Sequence, residues 1–211
     1  MRFLYPLMTA SLLCSSAVVQ ADYDTLFLDL AGGDAIEHYR IGVGETPKGE
    51  DGEKVTSMFY VGYFRSDDIV KHEDVNMGNH EVEVISLGTG GFGYLQDPQK
   101  QGGAEFDFEI SQSKAESLDY ERTAIGFRSQ LFLPIAAGFQ ANVGFNLRPF
   151  FLSTDWDDSA DLEYEYQAGL EYAFNWDVAL YSHYRTLKII TKNDKDRTLA
   201  EDVIFGLRVR F

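Results

Sequence analysis

The side chains with most chemistry to offer are four histidines, His38, His72, His80 and His183, and several clusters of carboxylates. His72 and His80 flank Glu73 and Asp74, a donor set a metal ion could use. Their spacing matches no compact metal motif, and a solvated loop accounts for it. Tyr181, His183 and Arg185 share one face of a period-two segment while Ser182 faces the other way. Serine and histidine therefore cannot form a nucleophile–base pair. Asp67, Asp68, Asp155, Asp157 and Asp158 are candidates for acid chemistry by position alone, and Asp155-Trp156-Asp157-Asp158 has oxygens for calcium. Any acidic loop offers as much. Ser86–Gly93 (S-L-G-T-G-G-F-G) would cradle phosphate only ahead of a helix, and none is expected there. Its glycines suit curvature and close strand approach. From these residues no catalytic role, metal or cofactor is assigned, and the chain reads as a non-enzyme.

A second set of ionisable residues is more orderly. Glu105, Asp107 and Glu109 alternate with Phe106, Phe108 and Ile110. Arg128 lies opposite Ile125, Phe127, Leu131 and Leu133. Arg148 lies opposite Ala141, Val143, Phe145 and Leu147, and Glu163, Glu165 and Glu171 alternate with Leu162, Tyr164, Tyr166, Ala168, Leu170 and Tyr172. The end of the chain, V-I-F-G-L-R-V-R-F, sets Val203, Phe205, Leu207, Val209 and Phe211 against Ile204, Gly206, Arg208 and Arg210. A period of two means strands. A soluble sandwich would bury the apolar face, whereas a transmembrane barrel would turn it to lipid and fill its lumen with the charges.

Composition narrows the choice. Residues 1–21 read as a secretory signal: Arg2, an apolar stretch from Phe3 to Val19, and a small-x-small site at Val19-Gln20-Ala21 before Asp22. The only cysteine, Cys14, lies in that segment, so residues 22–211 have no disulfide chemistry. Loss of Arg2 takes the formal charge of −16 to −17. So acidic a chain will not bind nucleic acid by releasing counterions. No apolar run of about 18 residues follows the signal, so membrane insertion requires a closed barrel.

Residues 22–211 read as one domain of strands. Candidates are Thr25–Leu30, Ile36–Gly44, Ser57–Phe64, Glu83–Phe92 and six in the second half, around Phe106–Ile110, Ile125–Leu133, Ala141–Leu147, Leu162–Phe174, Val178–Leu187 and Val203–Phe211. Arg65–His80, Gln112–Glu121, Ser153–Asp161 and Lys188–Asp202 read as long polar loops. Pro134–Gly138 and Asn175–Asp177 read as short turns. Sorting of loops by parity, strand length and the terminal Phe211 favour lipid. The expected fold is all-β, an antiparallel up-and-down transmembrane β-barrel of ten strands, with eight as the alternative. Tyr172, Phe174 and Trp176 would form an inner aromatic girdle, and Phe150, Phe151 and Trp156 an outer one.

The pattern resembles the YfaZ family of proteobacterial outer-membrane proteins. The residues that carry the resemblance are Tyr63–Asp68 (Y-F-R-S-D-D), Tyr164–Phe174, His183-Tyr184-Arg185, Lys192–Asp202 (K-N-D-K-D-R-T-L-A-E-D) and the terminal strand. It spans most of residues 22–211 and is loose before Met58. It implies a small outer-membrane barrel exported through the inner membrane, and no established activity. Phe211 resembles the C-terminal signal read by the barrel-assembly machinery. The His-x-Ser-Asn-type motif of outer-membrane lipid A deacylases is lacking in Tyr181–Arg185.

Three functions follow as expectations. The first is a monomeric structural or interaction barrel, in contact with outer-membrane lipid and lipopolysaccharide. Its lumen charges are Glu105, Asp107, Glu109, Arg128, Arg148, Glu163, Glu165, Glu171, His183, Arg185, Arg208 and Arg210. The second is a narrow cation-preferring channel lined by the same residues. The third, a barrel enzyme, needs a convergent polar site near one rim. How the arginines pair across the lumen discriminates the first two.

Overall fold

Ten strands close into one antiparallel barrel. The computed structural model describes residues 24–46, 54–72, 75–94, 102–115, 120–153, 161–175, 177–191 and 196–210. The strands are β1 (Thr25–Gly32), β2 (Ile36–Glu45), β3 (Lys54–His72), β4 (Val75–Tyr94), β5 (Gly103–Ala115), β6 (Tyr120–Ala136), β7 (Phe139–Pro149), β8 (Leu162–Ala173), β9 (Val178–Ile190) and β10 (Asp196–Arg210). One 3-10 turn, Phe150–Leu152, follows β7. Each strand pairs with its neighbour in sequence, and β1 pairs with β10 to complete the wall. The signal segment 1–21, the acids Asp155, Asp157 and Asp158, the girdle residues Trp156 and Trp176, and Phe211 lie outside the described residues.

The wall turns the usual protein inside out. Phe106, Phe108 and Ile110 on β5 are 50%, 62% and 56% exposed, while Glu105, Asp107 and Glu109 between them are at most 2% exposed. The same alternation runs along β7, where Val143 and Phe145 are exposed and Asn142, Asn146 and Arg148 are buried. On β10 it holds Val203 and Phe205 outside and Ile204, Arg208 and Arg210 inside. Successive side chains of a strand take opposite faces, so one period-two pattern fixes both surfaces at once.

Three segments expected as polar loops are strand instead. β3 and β4 are 19 and 20 residues long and pair from Asp68↔His80 on to His72↔Val75, so Arg65–His72 and Val75–His80 are ladder. Gln112 and Glu121 are likewise in β5 and β6, and Lys188–Asp202 is mostly β9 and β10. A ladder is held by main-chain hydrogen bonds, so it continues where both faces are polar and the hydrophobic period has ended. In the second half the connectors 116–119, 150–161 and 191–195 at one end remain at least as long as 137–138 and 174–177 at the other, but 46–53 and 95–102 are long too, so the sorting does not extend round the whole wall. His72 and His80 lie in β3 and β4, not in a loop.

The ten-strand expectation holds, and the eight-strand alternative, with residues 22–54 outside the wall, does not, since β1 and β2 pair into it. β1 and β2 end at the turn Gly33–Ala35, and past it β10 pairs directly with β3 at Arg197↔His72 and Thr198↔Lys71. The barrel has ten strands at the end bearing the chain termini and eight at the other. At the β6–β7 turn, Gly138 has a φ of 77°, a left-handed conformation that favours glycine. Inside the wall, Gly88 gives room to the Tyr60 ring, which a Cβ at that position would overlap. Close approach accounts for Gly88 and for Gly90, which lies against Asp107, whereas Gly91 has no contact nearer than 3.7 Å.

Candidate functional site: the filled lumen

The lumen is stacked in layers. At the end with the termini, Phe27, Met58, Tyr60, Phe92, Phe132, Ala173 and Ala179 form a buried apolar layer. At the other end Ile36, Phe64, Val82, Val84, Leu187, Ile189, Leu199 and Ala200 belong to a second. The ionisable side chains lie between and among them. Among the described residues, seven acids (Asp29, Glu105, Asp107, Glu109, Glu163, Glu165, Glu171) and seven arginines (Arg40, Arg122, Arg128, Arg148, Arg185, Arg208, Arg210) are buried. The buried charges balance.

Ion pairs knit the strands together. Arg40 on β2 reaches Asp29 on β1 at 2.7 Å and, across the lumen on β5, Asp107 at 3.3 Å and Glu105. Arg148 on β7 holds Glu109 on β5 and Glu163 on β8, both at 2.6 Å. Arg128 lies 3.8 Å from Glu109. Arg185 holds Glu165 at 2.8 Å. Arg208 on β10 links Asp29 (3.4 Å) to Glu171 on β8 (3.2 Å). Charged hydrogen bonds of this kind are the strong ones, and a guanidinium offers five donors with which to branch.

The same arginines tie the charges to the apolar layers. The Arg40 guanidinium lies over Phe27 and Tyr60, 5.2 and 5.3 Å from the ring centroids. Arg185 lies over Phe64, and Arg208 and Arg210 lie over Phe92. Stacking on aromatic faces is a use for which arginine is suited and lysine is not. Phenol and amide groups fill further valences. Tyr120 and Ser113 donate to Glu163 at 2.6 and 2.8 Å, and Asn146 donates to Glu109 at 2.7 Å. Tyr181 donates to Asp29 at 2.5 Å. His183 contacts the Asn142 amide and stacks on Tyr181, ring centroids 4.2 Å apart.

All twelve lumen residues expected from the alternation are buried inside the wall. Several buried residues were not among those twelve: Asp29, Arg40, Arg122, Tyr60 and Tyr120, with the smaller Ser113, Asn142 and Asn146. For Arg40 the signal was present, since Tyr39 and Ile41 are exposed on either side of it. Asp29 was masked by Phe27, an apolar residue that shares its inward face. Among the described residues, no group of three or more His, Cys, Asp or Glu side chains is placed to hold a metal ion.

Aromatic groups gather at both ends of the apolar exterior. Tyr172 packs on Phe139 and Phe174 at 4.7 and 4.8 Å near the turn to β9. Phe150 and Phe151 pack edge to face at 5.8 Å at the opposite end. Tyr63 and Tyr184 add to that end, donating to Glu83 (2.9 Å) and Glu201 (3.1 Å).

No protein-family model matches the chain, and no curated protein sequence does. Solved structures similar to it include a membrane protein crystallised in meso, 12% identical, covering 90% of this chain and 83% of the other with a TM-score of 0.45. A loop-deletion mutant of OmpT, an outer membrane protein of Vibrio cholerae, is 14% identical over 91% of this chain with a TM-score of 0.37. This chain spans only 60% of that protein's length. The NanC porin is 10% identical, with 88% of this chain and 98% of the porin covered and a TM-score of 0.40. Likenesses of this order go no further than barrel architecture.

Proposed function

We propose that the protein is a closed outer-membrane β-barrel of a Gram-negative bacterium, with a structural or interaction role exercised by its outer surface and rim. The observation that carries this reading is the ion-pair network. Arg40, Arg148 and Arg208 each bridge carboxylates from two strands, between two apolar layers. Bridges of this kind across a lumen, with an apolar layer at each end, oppose a continuous water path. The membrane location is supported by the exposed apolar wall and by the backbone pairing of a closed barrel, which leaves no edge unsatisfied in hydrocarbon. Export by the segment 1–21, recognition of Phe211 by the barrel-assembly machinery, contact with lipopolysaccharide, a monomeric state and membership of the YfaZ family complete the proposal. The reading includes no catalysis, in keeping with the engagement of His183 by Asn142 and Tyr181.

The competing reading is a narrow cation-preferring channel. Its premise is an excess of lumen carboxylates, and seven buried arginines offset the seven buried acids. The test is single-channel recording with residues 22–211 refolded in detergent and inserted in a planar bilayer. Heat-modifiable mobility on a gel verifies the fold. No conductance steps are expected. Stable cation-selective steps that change in Glu163→Gln, Glu165→Gln and Glu171→Gln variants would overturn the closed-lumen reading.

A further inference from the structure

The wall is irregular where the β1–β2 hairpin ends. Where β1 and β2 stop, β10 must find a new neighbour. Its register to β3 covers Arg197 and Thr198, and its register to β1 runs from Phe205 onward. Along Leu199–Ile204, between these two ladders, the junction is made largely by side-chain carboxylates. Asp202 accepts the N–H groups of Ala35 and Ile36 at the tip of the β1–β2 hairpin, at 2.8 and 3.1 Å. Asp68 on β3 accepts the N–H of Glu201 at 2.9 Å. The strands on both sides slip register at this level: β10 against β9 between Thr198 and Ala200, and β3 against β4 between Ile69 and Lys71. Irregularities of this type end regular pairing and bend the strand.

What lies on the two sides of the junction is also unusual. Behind it are Ile36, Phe64, Leu199, Ala200 and Ile204, all buried in the outer apolar layer. In front, Val203 and Phe205 are 47% and 66% exposed on the apolar exterior. Around most of the wall a continuous ladder separates interior from exterior; the other gap lies beside β6, whose pairing with β7 ends at Phe127↔Leu147 and leaves one bridge, Ala124↔Ser153.

We infer that this seam is a lateral gate, latched by Asp68 and Asp202, through which the outer apolar layer opens sideways to hydrocarbon chains of the surrounding lipid. Release of two side-chain acceptors opens β10 along Leu199–Ile204, while its ladders to β3 at Arg197 and Thr198 and to β1 from Phe205 onward, and the nine other strand junctions, stay paired. The ligand class follows from apolar surface on both sides of the opening. The inference goes beyond the closed lumen: it concerns the wall, and a lumen sealed along its axis is compatible with a seam that opens across it.

Residues 22–211 contain no cysteine, so accessibility can be read with introduced thiols. Ile204→Cys places one behind the seam, and Val84→Cys places one behind an unbroken part of the wall. In phosphatidylcholine vesicles a lipid-soluble maleimide is expected to label the first about tenfold faster than the second. A membrane-impermeant charged thiol reagent is expected to label neither at an appreciable rate. Oxidising a Lys71→Cys/Thr198→Cys pair across the seam should bring the Ile204→Cys rate down to the control. Asp202→Ala should raise it, and Asp202→Asn, which keeps an acceptor oxygen, should not. Equal labelling at both sites, or a rate indifferent to the cross-link, would overturn the gate. Hydrogen exchange on the unmodified protein tests the same point without substitutions. The amides of Ala35, Ile36 and Glu201 are expected to exchange about tenfold faster than those of Leu207 and Val209 further along β10. Equal protection would sink the proposal.

Discussion

Arg148 holds two carboxylates from different strands at 2.6 Å while itself 2% exposed. Removing it leaves Glu109 and Glu163 buried beside each other without their common counter-charge, a loss that costs about 3–5 kcal/mol for a buried pair. Arg148→Ala is therefore expected to lower the unfolding free energy by about that amount, measured by urea titration of the detergent-refolded barrel. Arg185 and Glu165, a simpler pair, allow a sharper comparison. Arg185→Met should destabilise more than the double variant Arg185→Met/Glu165→Leu, because the second substitution removes the charge stranded by the first. The residues of this network were legible in the sequence wherever a charge sat between two large apolar groups, as Glu109 does between Phe108 and Ile110. Which acid meets which arginine was not legible, since Arg40 and Asp107 are brought together only by the curvature of the closed wall.

At the scale of strands, hydrophobic alternation located nearly every element but not its length. The apolar exterior of the β3–β4 hairpin ends near Tyr63 and Ile85, while the paired backbone runs on to His72 and Val75. Main-chain hydrogen bonds carry no signature in side-chain hydropathy, and the polar extension read as loop for that reason. Its strand character has a direct consequence. Arg65 is exposed and paired with Glu81 at 2.8 Å, yet its backbone lies in the ladder opposite Glu83. Trypsin, which needs an extended, unpaired segment, is expected to spare the bond after Arg65 in the folded barrel and to cut it after unfolding. Rapid cleavage of the folded form would contradict the ladder. The β6–β7 turn is as exacting. Gly138→Ala places a Cβ at a φ of 77° and against the Tyr172 ring. It should cost about 1–2 kcal/mol from the backbone alone, seen as a lower thermal midpoint.

For the molecule as a whole, the alternation of apolar and charged faces suited a sandwich as well as a barrel, and strand length, loop parity and Phe211 were needed to choose the barrel. The strand count was legible as ten, although the short β1–β2 hairpin leaves eight strands at the far end. The balance of the interior could not be read, because Arg40 and Arg122 lay in segments whose inward face the sequence left unassigned. That balance has an electrical consequence. A charge carried through a membrane potential exchanges about 2.3 kcal/mol with each 100 mV. Seven positive and seven negative groups fixed in the same lumen exchange nothing in sum. A voltage applied across the barrel therefore exerts no net pull on its interior, and whatever moves this wall must act on it chemically or mechanically.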